Sequence, residues 1–246
     1  MRFDDKVAIV TGSAGGIGEA YARALAAEGA SVVIADMDAD RGEVVAKDIG
    51  DAALFVRTDV ADVASAEALA AATVERFGGI DLLVNNAAIY GGMQIDSLLN
   101  VDWDYYRRFM SVNMDGALVV TRACHRHIAK RGGGAIVNQS STAAWIYAGF
   151  YGLAKVGING LTHQLAAELG GSNIRVNAIA PGPIDTEATR TVVPTEMIDD
   201  IVAHLMIKRR GTPQDLVGMC LFLLSDEATW ITGQIINVDG GQITRP

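Results

Sequence analysis

Six short runs rich in β-branched residues recur along the chain to about residue 180, and longer segments with helical spacing of apolar residues separate them. They read KVAIVT, SVVIAD, ALFVRTD, DLLVNN, AIVNQS and IRVNAIA. Near-continuous apolar strands that alternate with helices are typical of a parallel sheet with both faces covered. The alternation therefore predicts an α/β fold, a doubly wound parallel sheet with helices on both faces.

The rest of the sequence extends this pattern beyond a proline and glycine turn, APGPID. A polar helical stretch around 194–208 and an apolar helix near 216–224 precede a last strand at GQIINV, so the predicted sheet has about seven strands. No low-complexity linker, repeat or change in composition divides the chain. We therefore expect residues 1–246 to form a single domain.

Charge and composition exclude several classes of protein. The formal net charge is -9 and the pI is about 4.9, so the chain repels phosphate backbones and anionic membrane surfaces. The N-terminal sequence passes directly into a strand, and no apolar run approaches the roughly 18 residues that a membrane span needs. We expect a cytoplasmic protein that binds neither nucleic acid nor membrane.

The cysteines and histidines predict no disulfide framework and no metal site. Cys124 and Cys220 are far apart, and each lies in an apolar helical segment where a buried structural thiol is expected. The histidines lack the spacing of metal ligands: His125, His127, His163 and His204.

A glycine-rich loop, TGSAGGIG, lies between the first predicted strand and the helix that follows it. Gly12, Gly16 and Gly18 let the backbone turn tightly and approach a pyrophosphate, whose charge would face the free amides of the helix N-terminus. Such a loop is a weak signal alone, and the strand before it and the helix after it strengthen it. The loop predicts a dinucleotide site.

Asp36 lies at the tip of the next predicted strand, eighteen residues beyond Gly18. A carboxylate there can accept hydrogen bonds from both hydroxyls of the adenosine ribose, and it would repel a 2′-phosphate. The alternative is that Asp36 is the N-cap of a helix beginning at Met37. The strand-end position favours the ribose role, which predicts NAD as the cofactor.

Tyr151 and Lys155 stand one helical turn apart in the segment YGLAK, so their side chains share one helix face. A phenol with an ordinary pKa of about 10 is protonated at neutral pH, and a nearby ammonium favours the phenolate. The spacing predicts a tyrosine base whose pKa is lowered by Lys155, as removal of a proton from an alcohol requires. The alternative is a tyrosine packed along a lysine stem.

The motifs and their order resemble those of classical short-chain dehydrogenases/reductases over essentially the whole chain. Matching segments are the glycine loop at 11–18, Asp59 with Val60 after the third strand, NNAA at 85–88, SVNMDG around Asn113, VNQSS around Ser141, YGLAK at 151–155 and PGPIDT at 181–186. Ala88 replaces the usual glycine of the NNAG segment. The resemblance implies a Rossmann fold and a homotetramer, and the apolar character of 150–169 and of the last third of the chain also favours an oligomer.

The resemblance also implies roles for these residues. Tyr151 would be the base, Lys155 would also hold the nicotinamide ribose, Ser141 would bond the substrate oxygen, and Asn113 would hold a water that links the lysine to solvent. The implied cofactor contacts are Gly12, Gly16, Ile17, Gly18, Asp36, Asp59, Val60, Asn86, Ala87, Tyr151, Lys155, Pro181, Gly182, Ile184 and Thr186. Relatives that prefer NADP commonly carry Arg or Lys where this chain has Gly15, which again favours NAD.

Ser140 and Ser141 compete for the serine role, because Tyr151 lies only ten positions after Ser141, whereas the two are about a dozen positions apart in many relatives. Strand alternation turns the two serines to opposite faces, so only one can point at the substrate. We choose Ser141.

The leading functional hypothesis is an NAD-dependent dehydrogenase that interconverts a secondary alcohol and a ketone. The first alternative is a reductase of 3-oxoacyl thioesters, which the acidic surface disfavours because it would repel an acidic carrier protein. A second alternative is a dinucleotide-binding sensor, which would not need both Tyr151 and Lys155. Loops over the site, including a region around 183–210, contain the residues that hint at an apolar substrate: Tyr90, Met93, Trp145, Tyr147, Phe150, Met197 and Met206.

Overall fold

The computed structural model describes residues 1–192 and 194–244, and within them the strands form a seven-stranded sheet. The strands are β1 (Val7–Thr11), β2 (Ser31–Asp36), β3 (Ala53–Arg57), β4 (Leu82–Asn85), β5 (Gly134–Gln139), β6 (Ile174–Pro181) and β7 (Ile235–Val238). They are ordered β3-β2-β1-β4-β5-β6-β7, and each neighbouring pair is parallel. The predicted doubly wound parallel sheet is confirmed.

Helices cover both faces of the sheet. They are α1 (Gly16–Ala27), α2 (Ala39–Ile49), α3 (Val63–Phe77), α4 (Trp103–Met110), α5 (Gly116–Lys130), α6 (Gly149–Leu169), α7 (Glu187–Val192), α8 (Thr195–His204) and α9 (Pro213–Leu224). Alternate strand residues supply two cores: Val10 and Ile34 pack with α1 and α9, whereas Ile9 and Val33 pack with α3 and α5. The period-two alternation of a strand explains why apolar residues at successive positions serve opposite cores.

The order of the strands reverses between β1 and β4, because the chain leaves β1 toward β2 and leaves β4 toward β5. Loops that follow these two strands therefore diverge, and the crevice between them is where ligands bind in open α/β sheets. The glycine loop follows β1, and the NNAA segment follows β4. The topology thus brings two separately predicted motifs to one edge of the sheet.

A wider, π-helical turn at Ser111–Asp115 joins α4 to α5, and Asn113 lies inside it. Asn113 is therefore not at the start of a helix, because α4 precedes this turn and α5 follows it. Single π-turns inside longer helices are frequent at functional sites.

The two cysteines are buried free thiols on opposite sides of the sheet, as predicted: Cys124 of α5 belongs to one core and Cys220 of α9 to the other. Across the part of the chain that the structure describes, we find no helix with both the length and the apolar character that a membrane span requires.

Candidate active site

Two glycines of the glycine loop, Gly12 and Gly18, are packed so closely against backbone that neither position can hold a side chain. Gly12 has a φ of +64°, and a Cβ on it would lie 2.7 Å from the Cα of Ala87. A Cβ on Gly18 would lie 2.1 Å from the carbonyl oxygen of Gly12. The Nδ2 of Asn86 donates to the carbonyl oxygens of Thr11 (3.0 Å) and Gly12 (2.9 Å), so β4 holds the loop in place.

Asp36 ends β2 beside this loop. Its carboxylate accepts hydrogen bonds from the amides of Ala14 (2.9 Å) and Asp38 (3.1 Å). The N-cap of α2 is Asp38, whose side chain accepts the amide of Arg41 at 3.1 Å. The N-cap interpretation of Asp36 is therefore wrong, and its carboxylate lines the cleft described next.

A cleft of about 1350 Å³ runs along the carboxyl edge of the sheet, and most of the predicted site residues line it. Those residues are Gly12, Gly16, Ile17, Asp36, Asp59, Val60, Asn86, Ala87, Ser141, Tyr151, Lys155, Pro181, Gly182, Ile184 and Thr186. Gly18 and Asn113 are not among its lining residues, since Gly18 packs beneath Gly12 and Asn113 lines a small neighbouring cavity. Asp59 is held by an ion pair with Arg108 at 3.1 Å.

The structure separates the two candidate serines. The hydroxyl of Ser140 donates to Oδ1 of Asn159 at 2.6 Å, so it is already engaged within the protein, although Ser140 lines part of the cleft. The Ser141 hydroxyl accepts the amide of Ala143 at 3.1 Å and bonds the phenol of Tyr151. Of the two serines, Ser141 is therefore the one that bonds the tyrosine.

Lys155 lies over the ring of Tyr151, with its Nζ 5.7 Å from the ring centroid. The ammonium donates to the carbonyl oxygen of Gln139 at 2.9 Å instead of to the phenol. Burial raises the pKa of Tyr151, although the bond from Ser141 opposes this rise. The expectation that Lys155 lowers the pKa of Tyr151 is thus wrong for the protein alone, because desolvation outweighs an ammonium that is directed elsewhere.

Asn113 uses both ends of its side-chain amide to bind the loop after β4. Its Oδ1 accepts the amide of Ile89 at 2.6 Å, and its Nδ2 donates to the Ile89 carbonyl at 2.9 Å. A cavity of about 10 Å³ separates Asn113 from Lys155. Its wall includes Asn85 and Gln139, whose Oδ1 and Nε2 atoms have no hydrogen-bond partner among the described residues. The volume and these polar atoms fit a single water.

Two features of the cleft escaped the sequence analysis. Tyr90, which was expected only among the substrate loops, packs its ring 5.3 Å from the ring of Tyr151. Arg41 of α2 forms an ion pair with Glu187 of α7, with Nη2 and Oε2 2.6 Å apart. The paired residues are 146 positions apart, so no local sequence pattern could have indicated the contact.

The end of the cleft beyond Tyr151 is apolar and open. Its walls include Met93, Ile95, Ile146, Tyr147, Phe150, Met197 and Ile198. Tyr147 and Ile95 are 88% and 74% exposed, so apolar surface continues to the rim. Trp145 and Met206, which the sequence analysis grouped with these residues, do not line the cleft.

Burial of the Lys155 ammonium lowers the stability of the folded protein by an amount that can be measured. Lys155 is 3% exposed, and burial lowers the pKa of its ammonium from 10.5 to about 8. Below about pH 8 the folded protein carries the full cost of a buried charge, and between these two pKa values the unfolded chain binds more protons, so stability rises with pH. We expect Lys155→Met to raise the free energy of unfolding near neutral pH by about 1–3 kcal/mol.

This gain should shrink as the pH approaches 10.5, the ordinary pKa of the ammonium. Urea unfolding at neutral pH and near pH 10 measures it, and Lys47→Met on the exposed face of α2 is the matched control. A variant that is less stable than the wild type, or a gain that does not change with pH, would show that burial is not the dominant effect on Lys155.

A doubly wound sheet with a glycine loop, Tyr151 and Lys155 along one cleft is the architecture expected of a dinucleotide-dependent oxidoreductase. A family model described as Enoyl-(Acyl carrier protein) reductase matches residues 12–242. An uncharacterized oxidoreductase of Mycobacterium tuberculosis is 68% identical over 246 residues, with 99% of each chain covered. Galactitol 2-dehydrogenase of Agrobacterium fabrum is 38% identical, with 98% of each chain covered.

A solved structure of 7α-hydroxysteroid dehydrogenase, complexed with NADH and 7-oxo glycochenodeoxycholic acid, matches with a TM-score of 0.93 at 34% identity. The match covers 99% of this chain and 96% of that one. The chain belongs to the classical short-chain dehydrogenase/reductase family, and it is an oxidoreductase of that type.

Proposed function

We propose that this protein is an NAD-dependent oxidoreductase that interconverts a secondary alcohol and a ketone. The observation that carries the proposal is the meeting of Ser141, Tyr151 and Lys155 in the same cleft as the glycine loop. The three side chains can hold and protonate a substrate oxygen, and the glycine loop can hold a dinucleotide.

The residues of the cleft fit NAD. The packing at Gly12 and Gly18 lets the backbone approach a pyrophosphate, and the N-terminus of α1 directs free amides to the same place. Asp36 would bind the adenosine ribose, and Asp59 with Val60 would contact the adenine. At the other end, Ile184 and Thr186 would hold the carboxamide and Lys155 the ribose of the nicotinamide half.

NAD supplies the hydride acceptor for alcohol oxidation, and its reduced form supplies the hydride for the reverse reaction. Tyr151 takes the proton of the alcohol hydroxyl, or returns it to the ketone oxygen in reduction. Ser141 donates a hydrogen bond to the same oxygen, where negative charge develops. The small cavity lined by Asn113 and Lys155 offers a place for the water that would link the lysine to solvent.

The raised pKa of Tyr151 has a consequence for direction. A phenol that stays protonated at neutral pH is ready to donate its proton, as ketone reduction requires. Alcohol oxidation requires the phenolate, so its rate rises with pH until the phenol is deprotonated. The positive charge of an oxidised nicotinamide ring would move this pH range downward.

We propose an apolar substrate, because the open end of the cleft is lined mainly by methionine, isoleucine and aromatic side chains. Asp96 also lines the cleft, and its carboxylate disfavours anionic groups near it. The acyl-carrier alternative is therefore less favoured, and the sensor alternative leaves the pairing of Tyr151 and Lys155 unexplained.

We retain the cytoplasm as the proposed compartment, since both cysteines are free thiols.

A panel of secondary alcohols tests the function. Each alcohol is incubated with NAD at alkaline pH, and reduced nicotinamide is followed by its absorbance. We expect cyclic apolar alcohols to react faster than polyols of similar size. Faster turnover of polyols would contradict the substrate class, and no turnover of any alcohol or of the matching ketones would contradict the proposed function.

We also propose that the chain forms a homotetramer. The exposed face of α6 carries Leu153 (42% exposed) and Val156 (49%), and Trp230 near β7 is 98% exposed. Apolar side chains left in water on two separate elements favour contacts between subunits. Light scattering at micromolar concentration should give about four times the chain mass of 25.9 kDa, and a monomer mass would count against the proposal.

A further inference from the structure

The Arg41–Glu187 ion pair joins two walls of the cleft. Arg41 belongs to α2, next to the loop that follows Asp36, and Glu187 opens α7 directly after Thr186. Both side chains line the cleft, and both are well exposed, at 58% and 75%. The pair therefore connects the proposed adenosine end of the site to the turn that would hold the nicotinamide.

Arg41 stands where a cation would meet a 2′-phosphate. Its Nη1 lies 4.0 Å from the position that a Cβ on Gly15 would take. The neighbouring residue, Ala14, donates its amide to the carboxylate of Asp36 at 2.9 Å. An arginine beside this strand-end acid can accommodate a 2′-phosphate, and guanidinium binds phosphate through two parallel hydrogen bonds. The absence of a basic residue at position 15 is thus offset by a cation from α2.

Glu187 already forms an ion pair with the guanidinium of Arg41. We propose that Glu187 is a specificity-determining residue for the cofactor, because it holds Arg41 in an ion pair and so withholds the guanidinium from a 2′-phosphate. This inference rests on the proposed function, since it assumes that NAD binds in the cleft. Asp36 would reject the phosphate by repulsion, and Glu187 would remove the partner that could compensate.

The strength of the pair is suited to such a role. Exposed ion pairs contribute at most about 1 kcal/mol, so Glu187 should weaken NADP binding by no more than about 5-fold. With Glu187 in place, a phosphate must displace one carboxylate from Arg41 and approach a second at Asp36. The effect of Glu187 should therefore be clearest after Asp36 has been replaced.

The test measures the affinities for NAD and NADP by calorimetry in the Asp36→Ser protein, with and without Glu187→Gln. We expect Glu187→Gln to strengthen NADP binding relative to NAD by about 5-fold at low salt. Asp36→Ser/Glu75→Gln is the matched control, because it removes an equal charge from an exposed position of α3. The same comparison is repeated with Arg41→Ala, where the gain should disappear.

Three outcomes would overturn the inference: no change in the NADP to NAD ratio, an equal gain in the Glu75→Gln control, or a gain that persists without Arg41. The last would mean that Glu187 acts only by its own repulsion. Failure of the wild type to bind NAD would instead overturn the proposed function, so the two failures are distinguishable.

Discussion

Turnover of the Tyr151→Phe variant is expected to fall at least about 100-fold, the effect of losing a general acid or base. The substitution removes only the hydroxyl, which is the group that Ser141 bonds and that would exchange a proton with the substrate oxygen. The ring stays in place, because it packs against Tyr90 at 5.3 Å and against Phe109 at 6.5 Å. Binding of reduced cofactor, followed by nicotinamide fluorescence, should therefore change little.

A matched control is Tyr106→Phe. Tyr106 stacks on Trp103 in α4 and does not line the cleft, so its hydroxyl has no proposed role. Retained turnover in Tyr151→Phe would contradict the mechanism even if the fold assignment stands. Equal losses in both variants would indicate a structural effect of removing a tyrosine hydroxyl instead of a chemical one.

The parts of the fold that sequence could predict are those specified by local patterns. Strand boundaries follow from short apolar runs, and the position of the glycine loop follows from a strand before it and a helix after it. Strand alternation implied that only one of Ser140 and Ser141 could face the substrate, and the family motif then favoured Ser141. Each of these inferences uses residues that are close together in the chain.

What sequence could not predict depends on contacts between distant residues. The spacing of Tyr151 and Lys155 placed both in one site, but it could not show that the Gln139 carbonyl takes the ammonium. Burial then determines the direction of both pKa changes, and burial depends on the whole fold. The position of Arg41 is a similar case, since only the packing of α2 against the glycine loop brings it near Gly15.

Cofactor choice should depend most strongly on Asp36. We expect the wild type to prefer NAD over NADP by about 100-fold or more in kcat/KM, which corresponds to about 2.8 kcal/mol. The carboxylate is fixed by the amides of Ala14 and Asp38, so it cannot easily turn away from a 2′-phosphate. Forcing two like charges together without a free counter-ion costs several kcal/mol.

Replacing Asp36 by Ser with Met37→Arg beside it should shrink this preference, because the repulsion is removed and a phosphate partner is added. Met37 is 45% exposed and lines the cleft, so an arginine there can reach the ribose without disturbing the core. Asp40→Ser, on the first turn of α2 but outside the cleft lining, controls for the loss of one negative charge nearby. Steady-state kinetics with both cofactors measures the ratio for each protein. Equal efficiency of the wild type with NAD and NADP would mean that Asp36 does not face the ribose, and the assignment of NAD would then fail while the roles of Tyr151 and Ser141 would not.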